Sequence, residues 1–421
     1  MKKFLLLALA SGLLAALTGC GVHFASGGSD ADLTATTNVI QTAAIPANLK
    51  GLKVDNRFGA IDIIGADTTN TWTWKLVVRA RTAGVAQQIA SAARCEVELQ
   101  GDQLNLVVSL PDTQEPHSYQ SDFEIRVPSP AAIQTQNRFG STEIAGVAGN
   151  VAARGENGRM EIRDIGGSVN AENSFDSLSV HHAGPATLKS QNGRLEAVNI
   201  AGTLEAETSF DSLVARDISG AATLRDQNGR IEAAGIGGSL DAKTSFDSLT
   251  ARDIAGPAHL RDQNGRITTT HVKGDADIET SFDSLSVEGV AGNAILKNQN
   301  GRVEASGVTG SVKADTSFDR MEITGAGSKF VCHNQNGAIH LRATSTALTA
   351  IEAETSFDTL EVHLPAALKP AIQAHTTFAE VVSDFPVLTN PPGDDTAAEA
   401  APDTTRIRLQ NQNGKIAIAR D

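Results

Sequence analysis

Two consecutive stretches decide the fold: FDSLTARDIAGPAHLRDQ at residues 246–263 and NGRITTTHVKGDADIETS at residues 264–281. Written one over the other, they align Leu249 with Ile267, Ala251 with Thr269, Ile254 with Val272, Ala258 with Ala276 and Leu260 with Ile278. Offsets 3 and 5 from the first residue, and again 12 and 14, have the two-residue spacing of strands that turn one face inward. Gly256 and Gly274 recur at offset 10, between the strands, where glycine would admit a corner with positive φ. Helical spacing does not fit, and a glycine in every unit opposes a helix.

Outward from this pair, the same two phrases alternate along the chain. Their anchors are Phe139, Asn157, Phe175, Asn192, Phe210, Asn228, Phe246, Asn264, Phe282, Asn300, Phe318 and Asn336. Successive spacings are 18 residues except for one of 17 between Phe175 and Asn192. A unit this short holds no pair of helices. It suits one turn of a parallel β-helix, in which each coil buries its inward stripe against its neighbours. The sequence therefore predicts an all-β protein, a parallel β-solenoid of about 18 residues per coil, regular over residues 139–345.

The flanks are less regular. Residues 37–138 carry alternating runs at Trp72–Arg79 and Leu104–Ser109, and an Ala/Gln-rich stretch at Thr82–Arg94. They read as a β-rich N-terminal cap with one short helix. An N-R-F-G phrase occurs at Asn56–Gly59 and again at Asn137–Gly140, where it is expected to open the solenoid. Residues 346–421 lose the rhythm: Phe357 and Phe378 follow at spacings of 21 with no Asn-type unit between them. An acidic Pro/Ala loop covers 389–404, and Q-N-G at 412–414 then restores one coil, expected as a terminal cap.

Among the repeated residues, the phenylalanines are expected to fill corners of the core. The Asn-Gly pairs are expected to supply left-handed turn backbone. Asp247 and Arg266 recur on adjacent coils and should alternate up the outside as weak surface pairs. Equivalent aspartates lie two coils apart, too far for a calcium ladder. His181-His182, His271, His333 and His340 share no metal-ligand spacing, and the His181-His182 pair marks a distorted corner at the shortened coil. Cys332 falls on an inward offset, and the stack separates Cys95 and Cys332 too widely for a disulfide.

The N-terminus sets the compartment. Lys2 and Lys3 precede an apolar run from Phe4 to Leu17, too short for a stable membrane span. Residues 1–19 read as a lipoprotein signal peptide. Leu17-Thr18-Gly19-Cys20 resembles a bacterial lipobox, which implies lipidation of Cys20 and anchoring by acyl chains. Residues 20–36 then form a flexible tether. Gly21 after that cysteine favours the outer membrane of a Gram-negative cell envelope.

The formal charge of −14 argues against nucleic acid or anionic lipid as a partner surface. Aromatic residues at 4% of the chain are too few for stacking platforms along a sugar groove. Nucleophile-elbow, zincin, Walker and Rossmann fingerprints are absent from the sequence, and nearly every polar residue has a copy two coils away. No catalytic residue, metal site or cofactor is expected.

The repeated N-G-x-[IV]-x-[AV] phrase, the early F-G-A-I-D-I at 58–63, the short helix and the lipobox together resemble a bacterial β-strand-repeat family labelled "putative adhesin", a domain of unknown function. The resemblance covers about residues 45–421 and implies a β-solenoid exposed in the cell envelope. The function expected is a non-catalytic, lipid-anchored, adhesin-like scaffold. Its partners are the membrane, through the anchor, and an envelope glycan or protein. The alternative is a polysaccharide-active β-helix enzyme, lyase or hydrolase, which needs an unrepeated carboxylate cluster with Arg or Lys.

Overall fold

The computed structural model describes residues 33–66, 68–388 and 404–421. The signal segment 1–19, Cys20, the tether up to residue 32 and loop residues 389–403 lie outside the described residues. The protein is an all-β parallel solenoid of roughly 18 residues per coil, with 61% of the described residues in strands and 3% in a helix. It divides into two compact units, Met1–Ala201 and Gly202–Asp421.

In the first unit, Gly51–Phe58, Ala132–Phe139, Val151–Asn157, Val169–Phe175 and Ala186–Ser190 form one parallel ladder. Ile61–Ala66, Thr142–Ala145, Met160–Ile165, Leu178–Ala183 and Leu195–Ile200 form the other. The solenoid thus opens one coil earlier than the sequence suggests. The two N-R-F-G phrases stack directly, Asn56 on Asn137 and Phe58 on Phe139. The residues between them, together with Ala35–Ala44, make the cap. Thr71–Ala80 runs antiparallel to His117–Pro128 and to Ala35–Ala44, and Arg94–Gln100 to Gln103–Ser109. The expected helix spans Ala83–Ala92, with Thr82 accepting from Val85 N–H at its N-cap. Trp72, Trp74, Leu76 and Val78 are buried in alternation, and Trp74 Nε1 donates to Ser121 Oγ at 2.8 Å.

In the second unit, one ladder runs from Leu204–Thr208 through Leu240–Thr244 and Ala258–Asp262 to Ala350–Thr355. The other runs from Leu213–Ile218 through Leu249–Ile254 to Leu360–Leu364. Inward offsets are as expected: Leu249, Ala251, Ile254, Ala258 and Leu260 are all fully buried. Large faces small between coils, Leu240 against Ala258 and Ala242 against Leu260. A fully buried Leu or Ile contributes about 1.5–3 kcal/mol, so the stack is held by many modest terms.

The expected terminal cap is not terminal. Arg406–Asn411 pairs in parallel with Ala350–Thr355 on one side and Ala371–Thr376 on the other. Ile416–Arg420 likewise lies between Leu360–Leu364 and Val381–Ser383. The last coil is inserted between two coils that precede it in sequence, and it supplies the Asn-type unit missing between Phe357 and Phe378.

Two expectations about backbone also change. Gly256 has no positive φ. A Cβ there would lie 2.8 Å from the Gly238 carbonyl of the coil before, so the glycine permits close stacking. Left-handed backbone falls instead at offset 7, on Asp164, His182, Asn199, Asp217, Gly235, Asp253, His271 and Gly289. His182 therefore sits in an ordinary corner. The shortened coil loses its residue in the following turn, where two residues separate Ala183 from Ala186 and three separate Ile165 from Val169.

Candidate functional site: a corner of alternating phenylalanine and asparagine

The corner that joins the two strands of successive coils reads Thr-Ser-Phe-Asp-Ser in one coil and Asx-Gln-Asn-Gly-Arg in the next. Its interior is polar. Thr244, Asp262, Thr280, Asn298, Thr316, Asn334, Thr355 and Asn411 form one buried column in the second unit. In the Asn-type coils the buried Asx accepts the glycine N–H three residues on: Asp262 from Gly265 at 3.1 Å, Asn298 from Gly301 at 3.0 Å, Asn411 from Gly414 at 3.0 Å. In the Phe-type coils the threonine hydroxyl donates to that glycine's carbonyl: Thr280 to Gly265 at 2.9 Å, Thr316 to Gly301 at 2.9 Å, Thr376 to Gly414 at 3.1 Å. These buried side chains are thus bonded to the backbone of their own or an adjacent coil, as burial favours.

The column is filled by these polar side chains, and the phenylalanines point out. Phe175, Phe210, Phe246 and Phe282 are each about half exposed, Phe246 at 51%, and Phe318, Phe357 and Phe378 more so, Phe378 at 79%. The expectation that they fill the core is overturned for a local reason. The inward strand ends at Thr244, and Asp247 takes left-handed backbone at φ 68°, as do Asp176, Asp211 and Asp283. That reversal brings Leu249 back inside and leaves Phe246 on the outer rim of the turn. Asp247 Oδ1 accepts Ser248 N–H at 2.7 Å, a local bond that makes aspartate suited to this conformation. Phe246→Ala is therefore expected to cost less than about 1 kcal/mol, as for a surface site, where a buried ring would cost about 3–5 kcal/mol. Urea unfolding of the full chain measures the difference.

The asparagines also face out. Neither Asn264 nor Gly265 carries positive φ, contrary to the turn role expected of the pair. Asn264 Nδ2 donates to Ser245 O of the coil before at 2.9 Å, and Asn228, Asn300, Asn336 and Asn413 repeat the bond at 3.1–3.2 Å. Each asparagine is clamped between two phenylalanine positions. In the first unit the column begins with two stacked rings, Phe58 on Phe139 at 5.3 Å, and passes through Asn157 to Phe175. The charged ladder forms only in part. Arg266 reaches Asp283 at 3.6 Å, whereas Arg302, its equivalent two coils on, pairs with Glu322 at 3.4 Å.

Two members of the buried column are out of keeping. Asn298, Asn334 and Asn411 donate Nδ2 to a carbonyl of the preceding coil at 2.6–2.7 Å. Asp226 and Asp262 hold the same place with no donor there, and their Oδ2 atoms are buried without a partner. Burial pushes both carboxyls above the ordinary range, against the pull of the N–H bonds to the other oxygen. A raised carboxyl pKa favours the protonated fold. That stabilisation is complete below the ordinary carboxylate range and is lost as pH rises through the raised value. Asp262→Asn is thus expected to stabilise the protein by about 1–3 kcal/mol at neutral pH, and less below about pH 4. Thermal unfolding at the two pH values measures it; a variant no more stable at neutral pH would contradict the assignment.

The remaining candidates from the sequence are dispersed. His182 lies 3.4 Å from Asp164, His271 3.1 Å from Asp253 and His333 3.0 Å from Asp315, each as a pair along the stack. Among the described residues no three His, Cys, Asp or Glu side chains are grouped to hold a metal. Cys95 and Cys332 are buried free thiols, and burial pushes Cys95 up to about 12. An open recess of about 450 Å³ is lined by Thr324, Arg342, Thr344, Pro365 and Asp421 among others. Its one carboxylate, Asp421, is tied to Arg342 at 2.7 Å and His363 at 3.1 Å, which pins the end of the inserted coil. That recess lacks the second carboxylate of a glycosidase pair.

No protein-family model and no curated protein matches the chain. Solved structures similar to it include a "putative cell adhesion protein" from Clostridium sporogenes ATCC 15579, with 9% identity and a TM-score of 0.17, covering 92% of this chain and 100% of that one. A "putative adhesin" from Bacteroides fragilis NCTC 9343 has 13% identity and a TM-score of 0.24, covering 62% of this chain and 97% of that one.

Proposed function

We propose that the protein is a non-catalytic, adhesin-like scaffold of the cell envelope, anchored through lipidated Cys20, that binds a partner along the phenylalanine–asparagine corner. The observation that carries this reading is the set of six phenylalanines in the second unit, Phe210 to Phe378, all at the same corner position and all at least half exposed. Exposed rings cost solubility and contribute little to the stack, so their repetition points to contact with something outside. Many weak, identical sites on one rigid face give strong attachment through avidity. The lipobox at Leu17–Cys20 supports anchoring, and Gly21 supports outer-membrane residence.

Binding of the purified full-length chain to isolated envelope fractions tests the face. Phe246→Ser, Phe282→Ser and Phe318→Ser combined should abolish retention with an unchanged β-sheet circular dichroism spectrum. Equal retention of the variant would overturn the reading. Loss of acyl labelling in Cys20→Ser tests the anchor.

A further inference from the structure

We infer that the row Phe210, Phe246, Phe282, Phe318 and Phe357 is a track for an extended, uncharged polysaccharide. This rests on the corner being a binding face and goes further by naming what lies on it. Three features of the row select the ligand.

The first is spacing. Equivalent rings recur every second coil, about 9.6 Å apart at the usual strand separation. A peptide strand presents same-face side chains about 6.8 Å apart and falls out of step. An extended β-linked sugar polymer repeats its orientation every two rings, over a length close to two coils.

The second is isolation. Each ring is followed by a polar coil whose Gln263 and Asn264, or Gln227 and Asn228, are exposed. The rings therefore make no continuous apolar stripe of the kind that a helix or a lipid surface needs. A sugar ring has an apolar C–H face for the aromatic face and hydroxyls at its edge for the amides between. Asn264, Asn300 and Asn336 are held in place by their bonds to Ser245, Ser281 and Ser317, so the amide positions are fixed before a ligand arrives.

The third is charge. From Phe210 to Asn300 each Phe-type coil sets one carboxylate beside the ring, Asp211, Asp247 or Asp283, and each Asn-type coil one guanidinium, Arg230, Arg266 or Arg302; beyond them Arg320 follows Asp319 and Ala338 takes the Arg place. The corner is locally balanced on a chain of net charge −14, which favours an uncharged glycan over a polyanion. The low overall aromatic content does not oppose this, because the repeat collects five of the 14 phenylalanines in this one row.

The test is calorimetric titration of the full chain with β-1,4-linked glucose and N-acetylglucosamine oligomers, from disaccharide to dodecasaccharide, and with the same envelope fractions. Affinity should rise by about 10²-fold or more from the shortest to the longest oligomer, as linked weak contacts do. The combined Phe246→Ser, Phe282→Ser and Phe318→Ser variant should lose that gain. Oligomer binding that is unchanged in the variant overturns the track. Ring-dependent binding to envelope fractions with no binding to any oligomer overturns the polysaccharide and leaves the binding face standing. Absence of ring-dependent binding to either overturns both.

Discussion

Removal of residues 405–421 is expected to release the C-terminal end of the second unit while the coils from Leu204 to Ala343 stay folded. The inserted coil pairs its backbone on both sides, and the segment Ala371–Ser383 has the inserted strands as its principal partners. Ile407, Leu409, Ile416 and Ile418 are all buried, and each side chain contributes about 1.5–3 kcal/mol. Their loss also strips the opposite faces of Ile351, Leu360 and Ile372. Thr376 loses the Gly414 carbonyl that it donates to, and Asp358 O loses the Asn411 amide. Because each coil touches only its neighbours, the damage should stop within one or two coils. Hydrogen exchange should show residues 365–388 unprotected and residues 231–308 unchanged. Retained protection over 371–376 would mean that this coil docks directly on Ala350–Thr355, and the inserted coil would then not be what holds it.

A single methyl group placed at Gly265 should be nearly as damaging locally. An alanine Cβ there would lie 1.5 Å from Asp247 O and 2.5 Å from Asp262 Oδ2. Neither atom is the end of a flexible chain. One is backbone of the adjacent coil, and the other belongs to a buried carboxylate whose Oδ1 accepts the Gly265 N–H itself. Relief requires the two coils to part at the corner, so Gly265→Ala is expected to cost about 4 kcal/mol or more, in the range of the most severe single substitutions. Gly84 is the control. It lies in the helix with nothing within 4 Å of its Cβ position, and Gly84→Ala should be neutral or stabilise by about 0.5–1 kcal/mol. Chemical denaturation of both variants provides the comparison.

The coil was legible in the sequence because stacking forces equivalent residues into equivalent places. The period, the inward offsets of Leu249, Ala251, Ile254, Ala258 and Leu260, the burial of Cys332 and the helix at Ala83–Ala92 all follow from alternation and spacing. The site was not legible, since hydropathy assigns phenylalanine to the interior and only turn geometry reverses it. The signal available was phase. Thr244 and Leu249 are separated by an odd interval, so the inward face must be interrupted between them, and Phe246 lies in the interruption. Composition misled in the same way, because a low aromatic content says nothing about rings gathered in one row. The inserted coil escaped notice because parallel pairing is not local. Asn413 completes the alternation of Phe357 and Phe378 from a segment that follows both.

The measurement that bears most directly on the outward row is electron–electron distance between nitroxide pairs placed on cysteines at 210, 246, 282 and 318, with Cys95 and Cys332 left as buried thiols. All four positions should label fully, and pair distances should grow by about 9.6 Å for each further 36 residues. Unreactive cysteines, or distances that do not increase in equal steps, would contradict the row and the binding face built on it.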